Sequence, residues 1–295
     1  MQTFDLEKIT TDSLSLTVFQ ENDVEVDVLR IDKIHPVVSG NKWFKLRYYL
    51  EEAKQQHKKT IVTFGGAWSN HIVATAAACR LNNFSSIGII RGEEPATLSA
   101  TLLEARQLGM QLVFISREAY KSKQLPASLI NRDDCYIINE GGYGIAGSKG
   151  ASTILEYSQK DNYTHICCAA GTGTMTAGLL MYSFLSDIVS VSVLKNNLGL
   201  ADDIRQLTND CKTPLIVPDY HFGGYAKHTP SLLSFMNEFY KQTAIPSDFV
   251  YTGKLFFAVH DLITNHYFKQ GSKLLVIHSG GLQGNRSLSK GTLIF

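Results

Sequence analysis

Short apolar runs rich in β-branched residues recur along the whole chain, and nearly every one ends in a glycine or polar turn leading into a helical pattern. VEVDVLRI, TIVTFGG, SSIGIIRG, QLVFIS, CYIINEGG, HICCAAGTG, IVSVSVLK, PLIVPDY and KLLVIHSGG read as strands. WFKLRYYLEEAKQQ, HIVATAAACRLN, TLLEARQLG, MTAGLLMYSFLS and LADDIRQLTND read as helices between them. Several of the strands are apolar almost throughout, as strands of a parallel sheet are when both faces are covered. The alternation therefore predicts an α/β chain with open, twisted, mainly parallel sheets flanked by helices. At 295 residues the chain is longer than one simple core organises, so we expect two such sheets. Residues 46–147 form the smaller α/β domain in this reading, and residues 1–45 with 148–295 the larger. An N-terminal β-hairpin, LSLTVFQ then VEVDVLRI, is expected at the larger sheet's edge.

Composition narrows the function. A net charge of +1 argues against nucleic acid or an anionic membrane surface as a partner. No apolar stretch reaches the length of a membrane span, and MQTFDLEKITTDSLSL carries no secretory signal pattern. Cys79, Cys135, Cys167, Cys168 and Cys211 make an odd count without CxxC spacing, some inside apolar runs. That pattern suits reduced thiols and a cytoplasmic location. The nine histidines form neither HExxH nor HxH spacing, so no metal centre is expected, and without G-x-S-x-G a hydrolase triad has no anchor.

Ligands of such folds bind beyond the carboxyl ends of strands, which directs attention to four loops. In SGNK, Asn41 suits a helix N-cap and Lys42 falls in the first turn, where backbone amides already present positive charge. Lys42 is then either an ordinary surface lysine or an amine held toward its neutral, nucleophilic form. In TFGGAWSNH, glycines 65 and 66 permit close approach of a ligand; Ser69 serves as N-cap or handles a proton, and Asn70 can donate to a phenolic or carbonyl oxygen. In AAGTGTMTAG, backbone amides and the Thr172 and Thr174 hydroxyls make a phosphate cradle. It is not a Walker loop, and Thr176 and Lys195 replace the third glycine and the acidic ribose ligand of a dinucleotide site. In HSGG, Ser279 can meet a ring nitrogen, while His278 reads as a structural residue on a buried strand end. An amine, a phosphate cradle and polar strand ends together fit a phosphorylated aldehyde bound through a lysine, pyridoxal 5′-phosphate.

SGNKWFKLRYYL resembles the GNKxRKL signature of the 1-aminocyclopropane-1-carboxylate (ACC) deaminase / D-cysteine desulfhydrase family of fold type II pyridoxal-phosphate enzymes. The likeness continues through GGAWSN, GTGTMTAG, DYHFGGYAK, FVYTGK and VIHSGG in the family's order, over nearly the whole chain. The resemblance implies that Lys42 is the Schiff-base lysine and that Lys45 has a structural or charge role. It implies that Ser69 contacts substrate or shuttles protons, and that Asn70 meets the cofactor's O3′. Gly171, Thr172, Gly173, Thr174 and Met175 match the phosphate loop, Tyr225 and Tyr251 two active-site tyrosines, and Ser279 the residue near the pyridine nitrogen. Family members usually form homodimers.

Two departures bear on substrate. Trp43 and Phe44 replace the family's small residue and arginine between the lysines. ACC deaminases carry glutamate after the second tyrosine, where this chain has Thr252. A carboxylate there keeps the ring nitrogen protonated; a hydroxyl does not, which weakens the electron sink. The resemblance therefore implies a lyase of small amino acids, D-cysteine first, releasing pyruvate, ammonia and sulfide, with ACC deamination to 2-oxobutyrate as the alternative. Lyase action on D-serine or β-chloro-D-alanine is a further alternative, and a non-catalytic pyridoxal-phosphate carrier is the remoter reading.

Overall fold

The computed structural model describes residues 4–158, 162–183, 185–209 and 213–295, which leaves Cys211 outside. Its strands are β1 (Thr11–Leu14), β2 (Val24–Leu29), β3 (Thr60–Gly65), β4 (Ser85–Arg91) and β5 (Met110–Ile115). They continue as β6 (Cys135–Ile138), β7 (His165–Ala170), β8 (Asp187–Ser192), β9 (Leu215–Val217) and β10 (Ser272–Ile277). One sheet has the order β1-β2-β10-β7-β8-β9 and the other β5-β4-β3-β6. Every pairing is parallel except β1 with β2, in agreement with the expected α/β class.

The apolar strands are explained by burial on both faces. Cys167 joins the core on one side of the larger sheet, with Val26 and Phe256; Cys168, one residue on, joins the core on the other side, with Phe44 and Met175. The helix Asn41–Gln55 links the two sheets. Phe44 enters the core against β2, β7 and β10, whereas Leu46, Tyr49 and Leu50 pack with Ile61 of β3 and Ile138 of β6. The first turn of this helix therefore stands between the sheets.

Two elements differ from expectation. The edge strand lies at Thr11–Leu14, and Thr17–Glu21, expected as strand, is a short helix. Leu16 and Phe19 are both buried, an i, i+3 spacing that serves one helical face as well as a strand pattern would serve a sheet. The helix Ile145–Ser152 was hidden by its glycines. A Cβ at Gly150 would lie 1.8 Å from the Phe44 carbonyl oxygen, so this glycine admits close backbone packing against the helix Asn41–Gln55 and does not mark a turn. No helix among the described residues is long and apolar enough to cross a membrane.

Candidate active site

The carboxyl ends of β3, β7 and β10 open into a cavity of about 670 Å³ bounded also by the first turn of the helix Asn41–Gln55. Lys42 and Lys45 line it from that helix, Ser69 and Asn70 from the end of β3, and Ser279 from the end of β10. Residues 171–175 line it from the end of β7, and Tyr225 and Tyr251 complete the wall. Segments far apart in sequence thus meet around one space.

Gly40, not Asn41, occupies the N-cap of the lysine helix. Its φ of +60° and the Asn41 amide donating to the Ser279 carbonyl at 3.2 Å clamp the SGNK loop onto the end of β10. A Cβ at position 40 would lie 2.1 Å from that carbonyl oxygen, so only glycine fits. The Asn41 side chain is released for the site: its Oδ1 accepts from Lys42 Nζ at 2.7 Å. Lys42 Nζ also stands 5.6 Å from the centre of the Tyr251 ring. Burial lowers the Lys42 pKa to about 8, against the pull of the Asp248 carboxylate. Desolvation dominates that shift. Lys45 donates to the Gly141 carbonyl at 3.2 Å, and burial, assisted by the Lys42 charge, lowers it to about 7.

On the β3 side, Ser69 is a helix N-cap, accepting from the Ile72 amide at 3.4 Å, and it also borders the cavity. Asn70 donates to the Gly281 carbonyl at 3.2 Å, which leaves its buried Oδ1 without a partner. His71 follows. Thr63 donates its hydroxyl proton to the Ile138 carbonyl, so the His71 Nε2, 2.9 Å from that hydroxyl, carries the hydrogen. The buried Nδ1 is an acceptor with no partner, and burial beside Lys45 and Lys42 lowers the ring's pKa to about 3.

At the end of β7, Gly173 adopts φ +75° ahead of the helix Thr174–Tyr182. None of the amides of residues 172–175 donates to another backbone carbonyl among the described residues. The hydroxyls of Thr172 and Thr174 bond to each other at 2.9 Å. The Tyr251 ring closes over this loop, near enough that a Cβ on Gly171 would meet it at 3.3 Å. Burial raises the Tyr251 phenol well above its usual range, and burial also raises Tyr225, whose ring lies 6.2 Å away edge-on.

Thr252 is placed otherwise than the sequence suggested. It is wholly buried behind the wall and does not line the cavity. Its hydroxyl donates to Asp248 Oδ1 at 2.7 Å and accepts from the Asp248 amide at 2.8 Å. The Asp248 carboxylate takes up the amides of Tyr251 and Thr252 at the start of the helix Thr252–Thr264, and its bond to the Thr252 hydroxyl draws that side chain inward. Asp248 escaped the sequence reading. It is fully buried and also accepts from the amides of Val250, Tyr251 and Thr252 at 2.9 Å each; burial raises its pKa against those bonds. Lys254, equally unassigned though it ends the VYTGK motif, is buried and donates to the carbonyls of His221 and Gly224 at 2.8 Å each. It ties down the loop that carries Tyr225. His278, outside the cavity lining, donates from Nε2 to the Pro246 carbonyl at 2.7 Å, since a carbonyl only accepts.

Residues 20–280 match the family described as pyridoxal-phosphate dependent enzyme. The chain is 29% identical to a bifunctional D-cysteine desulfhydrase/1-aminocyclopropane-1-carboxylate deaminase of Arabidopsis thaliana, over 89% of this chain and 74% of the relative. It is 24% identical to a D-cysteine desulfhydrase of Serratia proteamaculans, over 87% of this chain and 86% of the relative. A solved ACC deaminase homologue superposes with a TM-score of 0.82 at 26% identity, covering 94% of this chain and 90% of its own. Threonine deaminase isoform 2 of Solanum lycopersicum, at 16% identity and a TM-score of 0.66, shares the fold over 94% of this chain and 81% of its own.

Proposed function

The chain belongs to the pyridoxal-phosphate dependent enzymes, and from that membership we propose a lyase of small amino acids, D-cysteine first, that releases sulfide, pyruvate and ammonia. The observation that carries the reading is a lysine amine lowered to about 8 in the same cavity as a loop of unengaged amides. The residues present fit pyridoxal phosphate. The amides of residues 172–175 and two threonine hydroxyls suit its phosphate, the orphaned Asn70 Oδ1 suits a polar group on the ring, and Ser279 suits the ring nitrogen.

A bound pyridoxal phosphate supplies an aldehyde for amines and a conjugated ring that delocalises charge left at a substrate α-carbon. The chain's own residues do the rest. Lys42, held at Asn41 Oδ1, is the amine that attaches the cofactor and, once free, takes the substrate's α-proton. Ser69, at a helix N-terminus, orients the substrate carboxylate. Burial holds the Tyr225 and Tyr251 phenols in their protonated form, so either can donate a hydrogen bond to the departing sulfur. The released 2-aminoacrylate takes up water to give pyruvate and ammonia.

Preference for β-elimination over cyclopropane opening is supported by the charges of the wall. Among the described residues Glu140 is the one acidic side chain lining the cavity, and it is paired with Lys123 at 2.6 Å. With no free carboxylate to hold a ring nitrogen protonated, the weaker electron sink suits a substrate with a good leaving group. The proposal includes the division into residues 46–147 and the remainder, supported by all four strands of the smaller sheet falling within 60–138. It includes a cytoplasmic homodimer, supported for the compartment by the buried free thiols of Cys79, Cys167 and Cys168.

The test is keto-acid formation by the pyridoxal-phosphate-loaded protein with D-cysteine and ACC in parallel, the product identified by mass. Pyruvate from D-cysteine alone is expected. 2-Oxobutyrate from ACC at comparable efficiency would overturn the argument from the missing carboxylate.

A further inference from the structure

Two guanidinium groups of the cavity wall have no part in that reading. Arg91 ends β4, and Arg117 opens the helix Arg117–Lys121 just after β5. The parallel register pairs Arg91 with Ile115, and the Gly92 amide donates to the Ile115 carbonyl at 2.8 Å, so both side chains spring from neighbouring strand ends. Both line the cavity that holds Lys42 and Tyr225. Neither makes a hydrogen bond or ion pair with a described residue. The charge of Arg91 reaches the site, since it draws the Tyr225 phenol down against the effect of burial.

Charge counting then leaves a surplus. Arg91 and Arg117 bring permanent positive charge to the cavity, and Glu140, its one acidic side chain among the described residues, is already neutralised by Lys123. The cofactor's phosphate has its own cradle at residues 172–175, and the substrate's α-carboxylate faces Ser69 in the reading above. Both side chains are exposed at the rim of the cavity, where their charges are open to an entering anion, and their planar forks match phosphate and sulfate oxygens. A cavity of about 670 Å³ lies within the roughly 300–1,000 Å³ of pockets for drug-sized ligands, so a substrate longer than cysteine has room beside the cofactor.

We propose that the enzyme acts on amino acids whose β-substituent ends in a second anion, a phosphate or sulfate ester, with Arg91 and Arg117 as the specificity residues that hold it. The inference rests on the lyase reading and deepens it. Removal of the α-proton by Lys42 and cleavage of the Cβ–O bond send the bonding electron pair out with the ester group, which leaves as phosphate or sulfate. The 2-aminoacrylate that remains takes up water to give pyruvate and ammonia, so no oxidant or reductant is needed.

The test uses the holoenzyme with O-phosphoserine and O-sulfoserine, both enantiomers of each, beside D-cysteine, and compares wild type with R91Q, R117Q and the double variant. At least one ester is expected to exceed D-cysteine in kcat/KM. The ester-to-cysteine ratio should fall about tenfold for each arginine removed, as loss of a charge-assisted hydrogen bond implies, with the change carried by KM. The calorimetric Kd for the ester should weaken by a similar factor and lose much of its salt dependence. D-cysteine preferred over every ester by the wild type, or an unchanged ratio in the double variant, would overturn the proposal. Failure of the lyase reading looks different: no keto acid from any amino acid while the cofactor absorbance is intact. Calorimetry then decides alone, ester binding lost in the double variant supporting the anion site and equal binding refuting it.

Discussion

Replacing Asp248 with alanine tests how the wall of the site is held. The carboxylate is fully buried and accepts from the amides of Val250, Tyr251 and Thr252 at 2.9 Å each, and from the Thr252 hydroxyl at 2.7 Å. Removing it leaves those donors in a space closed to bulk water. An orphaned buried donor costs about 1–3 kcal/mol, and partial relaxation keeps such sums near the lower bound. Three amides at about 1 kcal/mol each give a loss of about 3 kcal/mol. Recovery of the desolvation cost that raises the Asp248 pKa reduces this, and the orphaned Thr252 hydroxyl adds to it. At about 2–4 °C per kcal/mol for a unit of this size, the cofactor-free variant should melt roughly 10 °C below wild type in a circular-dichroism scan. Asp248→Asn keeps one carbonyl acceptor and should lose about half as much. The Tyr251 ring, whose backbone amide Asp248 holds, should then close less well over Gly171, lowering turnover in both variants. Melting of Asp248→Ala within 2 °C of wild type, a shift of about 1 kcal/mol or less, would refute the assignment of these bonds as the wall's support.

Lys42→Ala is expected to abolish turnover and to stop borohydride from fixing pyridoxal phosphate to the chain, read by intact mass; normal activity in that variant would sink the mechanism. His71 predicts a pH dependence of stability. Its folded pKa of about 3 lies below the unfolded value of 6.5, so its contribution is complete above 6.5 and is lost as pH falls toward 3. The slope is roughly 1.4 kcal/mol per pH unit for this one proton, and His71→Gln should flatten the Tm profile between pH 6 and 4. An identical profile in the variant would place the acid sensitivity elsewhere. Gly40→Ala meets both a positive φ and the Ser279 carbonyl, so a melting loss of at least about 2 kcal/mol and weakened cofactor binding are expected; wild-type values for both would show that the SGNK loop can move away from β10.

The α/β class and most strand positions were legible because they are written in local spacing. β-Branched runs such as TIVTFGG and helical faces such as Leu46, Leu50 and Ala53 repeat at periods that neighbouring residues alone impose. The loop chemistry was legible for the same reason: Gly173 before a helix start and Ser69 before Asn70 lie within a few residues of the groups they serve. Short or glycine-rich elements were not. Thr17–Glu21 is too short for its period to separate helix from strand, and the glycine at position 150 reads as a turn until Phe44 is seen against it. The Thr252 hydroxyl could equally point outward or inward along its helix start, and only the buried Asp248 selects the inward direction.

Which cationic side chains share one space depends on pairings that no local period encodes. Residues 40 and 41 meet residue 279 because β2 lies beside β10, and Arg91 neighbours Arg117 because β4 lies beside β5. Local sequence thus specified the elements and the kind of chemistry their ends can offer. Strand order, set by burial of both sheet faces and by contacts between segments hundreds of residues apart, brought Lys42, Asn70, the loop after β7 and the two arginines around a single cavity.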